Sequence, residues 1–280
     1  MESFRDLWNL YYTRHVLVNY SSHKNAYSWA RVHGPKWFDI PLVNITRQAV
    51  QIWVDDLGQL SKSAANRAVN QLGAAFSWGL KRGYVTHNPT VGVQRFKPVS
   101  RRRFILPAEM VRFRSVLDDQ RDDVRDFFWM CLLTGARRGN VLSMRWDELD
   151  LSLAVWQIPA SKFKTGDPHT IPLCAAALAI LSRRQPTAQS EWVFPGRIPG
   201  SHYTEPKRIW RTILRKAELS DLTIHDLRRT VGSYMAISGA SLPVIGKALG
   251  HKDQRSTQIY AHLHLVPVRQ AFDDIQGYLH

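Results

Sequence analysis

TIHDLRRTVGSYMAISGASLPVIGKALGHKDQRSTQIYAHL, residues 223–263, is the stretch around which the rest of the chain can be read. His225 and Arg228 stand one helical turn apart, so both project from one face. An apolar helix then ends at Gly250, with His251 directly after it. Tyr260 follows nine positions later, inside a short helical stretch behind Ser256 and Thr257. Basic groups gathered around one tyrosine suggest an anion site with a nucleophile beside it. Each residue also has a plainer reading. Alone, His225 is a surface residue at a helix start, His251 part of a helix end, and Tyr260 an amphipathic core residue.

Outward from this stretch, composition sets the bounds. At 280 residues the chain suits one large domain or two smaller ones, and 44% hydrophobic residues are ample for a core. Lys+Arg number 38 against 23 Asp+Glu, a net charge of +15, which points to a polyanion and most simply to nucleic acid. The excess is shared: residues 1–100 hold 12 Lys+Arg against 5 Asp+Glu, and residues 101–280 hold 26 against 18. Cys131 in FFWMCLL and Cys174 at the start of CAAALAIL read as small core residues in a reducing compartment. No histidine joins them at a zinc spacing, so neither metal nor cofactor is expected. MESFRDLWNLYY is too polar for a signal peptide, and no apolar run approaches the ~20 residues of a membrane span. A soluble, cytoplasmic protein without membrane contact is expected.

The pattern predicts four helices in the first ninety or so residues, a compact all-α bundle. They cover residues 3–18, a run from the Ser21-Ser22 cap pair to His33, a helix capped by Thr46, and one opened by Ser61 or Ser63 and stopped at Gly83. QRFKPVSRRR carries Arg95, Lys97, Arg101, Arg102 and Arg103 around a proline and reads as an exposed basic linker, suited to phosphates. From about Leu106 the helical pattern resumes, with Pro107 in a first turn and DVRDFFWMCLLTG as core helix. VWQI, the turn KTGDP and HTIPL read as two β-strands. EPKRIWRTILRKAEL is a helix with cations on one face; Lys207 and Arg211 are candidate DNA contacts, and while the ten tryptophans read mostly as core, Trp210 among these cations is a candidate for lying near the same partner. The tail helix carries an apolar stripe of Val268, Phe272, Ile275 and Tyr278. The expected architecture is mainly α with a small β-sheet: an all-α bundle over 1–93, a linker over 94–104, and an α+β domain over 105–280.

HDLRRT, LGHKD and TQIYAHL together resemble the second signature box of the tyrosine recombinases, also called the phage integrase family. TGARRGNVLSMRW resembles the first box, with Arg137 at the catalytic arginine. SKFKTGDPHTIPL resembles the family's β-hairpin, whose catalytic lysine lies eight positions before the strand proline; counting back from Pro172 gives Lys164, with Lys162 as its rival. His225, Arg228, His251 and Tyr260 fill the remaining positions in family order. His169, His262 and His264 read as structural or peripheral.

The resemblance implies an α-helical core-binding domain followed by a catalytic domain. It also implies a site-specific recombinase that cuts and rejoins double-stranded DNA through a 3′-phosphotyrosine at Tyr260, integrating or excising a mobile element. Arg137 and Arg228 would clamp the phosphate, His225 serve as base, Lys164 as acid, and His251 as donor, with no ATP or metal. It further implies a homotetramer linked through the C-terminal helix, accessory DNA-bending proteins, and a phage-encoded or nucleoid setting in bacteria. Asn140 departs from the acid often found three residues after the first-box arginine. The extra N-terminal arm-binding domain of many phage integrases is expected to be absent. Two other readings stand beside this one: a DNA-binding protein without strand cleavage, and a type IB topoisomerase or telomere resolvase.

Overall fold

The computed structural model describes residues 2–20, 22–98, 101–162, 166–204 and 206–276. It is mainly helical with one three-stranded antiparallel sheet, in agreement with the sequence pattern. The chain divides into two compact units, Met1–Val99 and Ser100–His280. No helix among the described residues is long and apolar enough to cross a membrane.

In the first unit, α1 (Phe4–Tyr11) opens on a capping box: Ser3 Oγ accepts from the Asp6 amide and Asp6 accepts from the Ser3 amide. One π-turn, Tyr12–Val16, carries the chain into α2 (Leu17–Asn19). Next, α3 (Lys24–Val32) has His23 at its N-cap; Ser21 of the expected cap pair lies outside the described residues. After α4 (Gly34–Trp37), Thr46 caps α5 (Arg47–Leu80) by accepting from the Ala49 amide. Ser61 is extended within this rod, and its Oγ accepts from the Ala64 amide at 3.3 Å. The rod is therefore two helices meeting at the restart expected there. Aromatic rings fill the core: Phe4 stacks on Phe76 at 5.3 Å and Trp8 on Trp29 at 4.6 Å.

The expected start of the linker at 94 is corrected. Gln51 accepts from the Gln94 amide at 2.7 Å, and Asn66 both accepts from the Phe96 amide at 3.1 Å and donates to its carbonyl at 2.7 Å. Two side-chain amides thus stand in for a neighbouring strand and fasten residues 94–96 to α5. The Phe96 ring lies where Gly58 leaves room, since a β-carbon there would come within 2.0 Å of it.

In the second unit, α6 (Pro107–Asp118) begins at Pro107 and α7 (Asp122–Thr134) ends on Gly135 at φ 59°. The one-turn α8 (Arg138–Leu142) follows. The sheet runs β1 (Leu149–Asp150), β2 (Val155–Ile158), β3 (His169–Pro172), with Trp156 opposite Ile171 and Ile158 opposite His169. Then come α9 (Ala175–Arg184), α10 (Lys207–Lys216), α11 (His225–Ile237) and α12 (Leu242–Leu249). A 3-10 stretch, Gln258–Leu263, and α13 (Val266–Gln276) complete the unit. α11 packs on α7, α12 and the 3-10 stretch, which brings the two signature boxes together.

Two expectations change. Trp210 is buried, edge-on to Phe113 and tilted against Phe128, and its indole N–H donates to the Leu222 carbonyl at 3.1 Å, so it does not face a partner. The amphipathic α10 turns its cations outward and its tryptophan inward. Cys131 is buried as expected, but Cys174 is exposed just before α9.

Candidate active site

Tyr260 is 3% exposed and lies on α11, where residue 232 is glycine. A β-carbon at Gly232 would come 2.4 Å from Tyr260 Cζ and 2.8 Å from its hydroxyl oxygen. That glycine is needed for the space it leaves, not for an unusual backbone angle. One turn before it on α11, Arg228 is 6% exposed. Its Nη1 donates to the Gly135 carbonyl at 2.8 Å and its Nη2 to the Leu249 carbonyl. Both acceptors terminate helices, α7 and α12, whose dipoles favour a cation. The left-handed turns at Gly135 and Gly250 (φ 63°) shape these ends. His251 follows the second turn, and its Nδ1 lies 2.9 Å from Thr257 Oγ1. With the hydroxyl donating to Nδ1, Nε2–H is left to donate to a phosphate oxygen.

The electrostatics bind these groups into one cluster. Burial first, and then Arg137, pull the Arg228 guanidinium to about 10, so it remains charged at neutral pH. Burial, Arg228, Arg137 and His225 lower His251 to about 4. His225 is also lowered, by burial and then by Arg229 and Arg228, and is therefore neutral and able to accept a proton at pH 7. Burial raises the Tyr260 phenol above its ordinary value, while Arg228 and Arg229 oppose that rise. Arg137 stands at the N-cap of α8, half-buried, its charge felt by Arg228, His251 and His169.

Five of the six expected catalytic residues are thus described and gathered; Lys164 lies outside the described residues. Lys162 has a structural task. Its ammonium donates to the carboxylate of buried Glu148 and to the Ser143 carbonyl, and Glu148 in turn accepts from the Trp156 indole at 3.1 Å. Asn140 is buried, and among the described residues its Nδ2 meets no hydrogen-bond partner.

His169, expected to be structural or peripheral, reaches the cluster. It sits opposite Ile158 on β3, and its Nε2 lies 3.3 Å from the Ala248 carbonyl. Burial, Arg228 and Arg137 lower its pKa. A sequence signal was available: the alternation of HTIPL puts His169 on the same strand face as buried Ile171 and Leu173.

Of the expected DNA contacts, Arg95, Lys97, Arg102, Lys207 and Arg211 are exposed. Arg101 and Arg103 are not the exposed linker cations expected. Arg101 Nε donates to buried Asp226 at 3.1 Å and pairs with Asp221 at 3.0 Å. Arg103 forms a two-point bond to Glu109, 2.7 Å at each oxygen. Asp226 also binds Arg229 and the Thr223 amide, which fixes the start of α11 beside His225.

Comparison with known proteins points the same way. The chain is 28% identical over 222 residues to tyrosine recombinase XerC of Xanthomonas axonopodis pv. citri, covering 76% of this chain and 72% of that one. The Tn1549 transposon integrase in complex with circular intermediate DNA superposes with a TM-score of 0.79 over 98% of this chain and 100% of that one, at 15% identity. A lambda integrase tetramer bound to a Holliday junction gives a TM-score of 0.72 over 91% of this chain and 79% of that one, at 18% identity. At such identities the two structures speak for the fold alone. The family profile described as phage integrase family matches residues 103–265, the segment that holds every residue of the cluster, and the chain belongs to that family.

Proposed function

We propose that this protein is a site-specific DNA recombinase that breaks and rejoins DNA through a 3′-phosphotyrosine at Tyr260. The observation that carries the reading is a buried tyrosine set against Gly232 in the field of Arg228, whose charge also lowers the pKa of His225 and His251. A phosphodiester is an anion that Arg137 and Arg228 can hold.

The steps balance without an outside energy source. Tyr260 Oη gives its proton to His225 and bonds to phosphorus, while the bond from phosphorus to the 5′-oxygen breaks. That oxygen takes a proton from Lys164. Arg137 and Arg228 hold the non-bridging oxygens as charge builds on them, and His251 donates to the same group. The 3′-phosphotyrosine is still a phosphodiester, so a second 5′-hydroxyl can displace the tyrosine and reseal the strand by the reverse route.

The partner is double-stranded DNA carrying a recombination site, and the working assembly is multimeric. Exposed Arg95, Lys97, Arg102, Lys207 and Arg211 are assigned to its phosphates. The exposed stripe on α13 is assigned to a neighbouring protomer in a homotetramer. The natural setting is the bacterial cytoplasm, with accessory DNA-bending proteins assisting and a mobile element as cargo.

The test is covalent trapping. DNA bound covalently to the wild-type chain is recovered from the source genome and sequenced, and a nicked duplex of that site is used as a suicide substrate. Wild type should yield a protein–DNA band on a denaturing gel, and Tyr260→Phe none. A band that persists in Tyr260→Phe would refute the assignment.

A further inference from the structure

Thr257 is the junction of two 3-10 stretches, Gln254–Ser256 and Gln258–Leu263. Its amide donates to the Gln254 carbonyl at 2.9 Å, and its carbonyl accepts from the Tyr260 amide at 3.0 Å. The turn that carries the tyrosine is therefore closed on Thr257. This residue is polar, yet it is only 3% exposed. A hydroxyl buried to that degree needs a partner.

The partner comes from α12, which packs on both 3-10 stretches. Gly246 leaves room for the hydroxyl, since a β-carbon there would lie 3.1 Å from Thr257 Oγ1. The Gly246 carbonyl also accepts from the His251 amide at 2.9 Å. The same turn of α12 thus admits the hydroxyl and presents the histidine, and Oγ1 lies 2.9 Å from His251 Nδ1.

The hydroxyl has one hydrogen, and among the described residues Nδ1 is the acceptor it meets. The hydrogen therefore goes to the Nδ1 lone pair, and the neutral ring carries its own hydrogen on Nε2. The opposite tautomer would bury the hydroxyl hydrogen without an acceptor. It would also leave a lone pair on Nε2, and a phosphate oxygen, which only accepts, cannot bond to that. Burial, Arg228 and Arg137 keep a second proton off the ring.

We propose that Thr257 is a positioning residue for strand cleavage: its buried hydroxyl holds His251 in the tautomer that donates from Nε2. This rests on the recombinase reading above, and on His251 as a donor to the phosphate. Thr257 acts through His251 and touches no substrate. Without the hydroxyl, the ring is free to take the other tautomer and to rotate, and the phosphate loses one donor as charge builds on it.

The experiment places Thr257→Val and Thr257→Ser in two backgrounds, with His251 and with His251→Ala, on the recovered site as a nicked duplex. Valine keeps the branched shape and the backbone bonds and removes the hydroxyl. Single-turnover cleavage at saturating DNA should fall about tenfold or more in Thr257→Val, the scale expected for a misplaced catalytic group. DNA affinity should not change. Serine, which keeps the hydroxyl, should recover most of the rate. In the His251→Ala background valine should cost less than about twofold, because the group it acts through is gone. Normal cleavage by a folded Thr257→Val would overturn the proposal. An equal loss in both backgrounds would also overturn it, since a residue that serves packing alone gives that result. If the valine variant does not fold, nitrogen NMR of the His251 ring in the wild-type chain decides: a hydrogen on Nε2 supports the proposal, and a hydrogen on Nδ1 overturns it. A wild-type chain that forms no covalent adduct with DNA would instead overturn the recombinase reading itself, and the NMR measurement would still report the tautomer.

Discussion

Gly232 on α11 and Tyr260 approach so closely that a β-carbon on the glycine would lie 2.4 Å from Tyr260 Cζ. No real side-chain contact is that short, so Gly232→Ala must push the phenol away. The obstacle is the far end of a side chain, so the helix itself can stay. Cleavage should therefore fall about tenfold or more, since small misplacements of a reacting group are costly. DNA affinity should be preserved and the melting temperature little changed. Single-turnover cleavage and a melting curve measured together check this; a cooperative loss of structure would show that the glycine serves packing alone.

Arg137 and Arg228 should act on the transition state more than on DNA binding. Removing either should cost roughly 3 kcal/mol or more of barrier, as for an oxyanion donor. The two should differ in stability. Arg228 donates to the Gly135 and Leu249 carbonyls, both at buried helix ends, so Arg228→Ala leaves those acceptors unmet at about 1–3 kcal/mol each. Arg137→Ala should retain more of the wild-type stability. Denaturant unfolding beside cleavage kinetics separates the two effects. A variant that binds poorly but cleaves normally at saturating DNA would contradict the transition-state role.

Lys164 and Lys162 should separate on nicked duplexes with a natural 5′-oxygen and with a 5′-bridging phosphorothiolate. A 5′-phosphorothiolate should restore cleavage to Lys164→Ala, because sulfur leaves without protonation. Lys162→Ala should instead lose stability, since it strands the buried Glu148 carboxylate. Selective rescue of Lys162→Ala would reverse the choice.

Acid should weaken the fold. His251 has a folded-state pKa of about 4 against an ordinary 6.5, with burial as the first cause and Arg228 and Arg137 next. A depressed histidine pKa means that the unfolded chain binds the proton more readily. The stability contribution is complete above 6.5 and is lost as pH falls from there toward 4. His225 shifts in the same direction and adds to the slope. Melting temperature should fall across this window, and His251→Gln should flatten the fall. An unchanged slope in the variant would exclude His251 as its source.

How far the sequence carried depends on whether a feature is local. The hairpin was legible because β-branched residues flank a Gly-Asp-Pro turn, and the cluster was legible because its residue types recur in a fixed order. Ser61 could be read as a restart because capping is a local bond. The misses are long-range pairings. Arg101 finds Asp226, 125 positions away, and no rule of spacing pairs them. Residues 94–96 looked like linker because their partners, Gln51 and Asn66, are polar residues on an otherwise ordinary helix. Trp210 was misjudged by its cationic neighbours, although Ile213 three positions on marks the same buried face.

The tail supplies the last prediction. Val268, Phe272 and Ile275 recur at helical spacing on α13, and all are exposed, Phe272 at 67%. Tyr278, the fourth member of the expected stripe, lies outside the described residues. These three side chains therefore do not pack on their own unit. A large apolar side chain gains about 1.5–3 kcal/mol when buried, so seating the stripe in a neighbouring protomer is worth enough to bias assembly. Phe272→Asp should leave the monomer's melting temperature unchanged, because the ring already faces water. Removal of residues 266–280 should spare binding to a single DNA site. Both changes should abolish complexes that pair two sites, which native gels and sedimentation on paired duplexes would resolve. Synaptic complexes formed at wild-type levels by the truncated chain would show that the stripe links nothing.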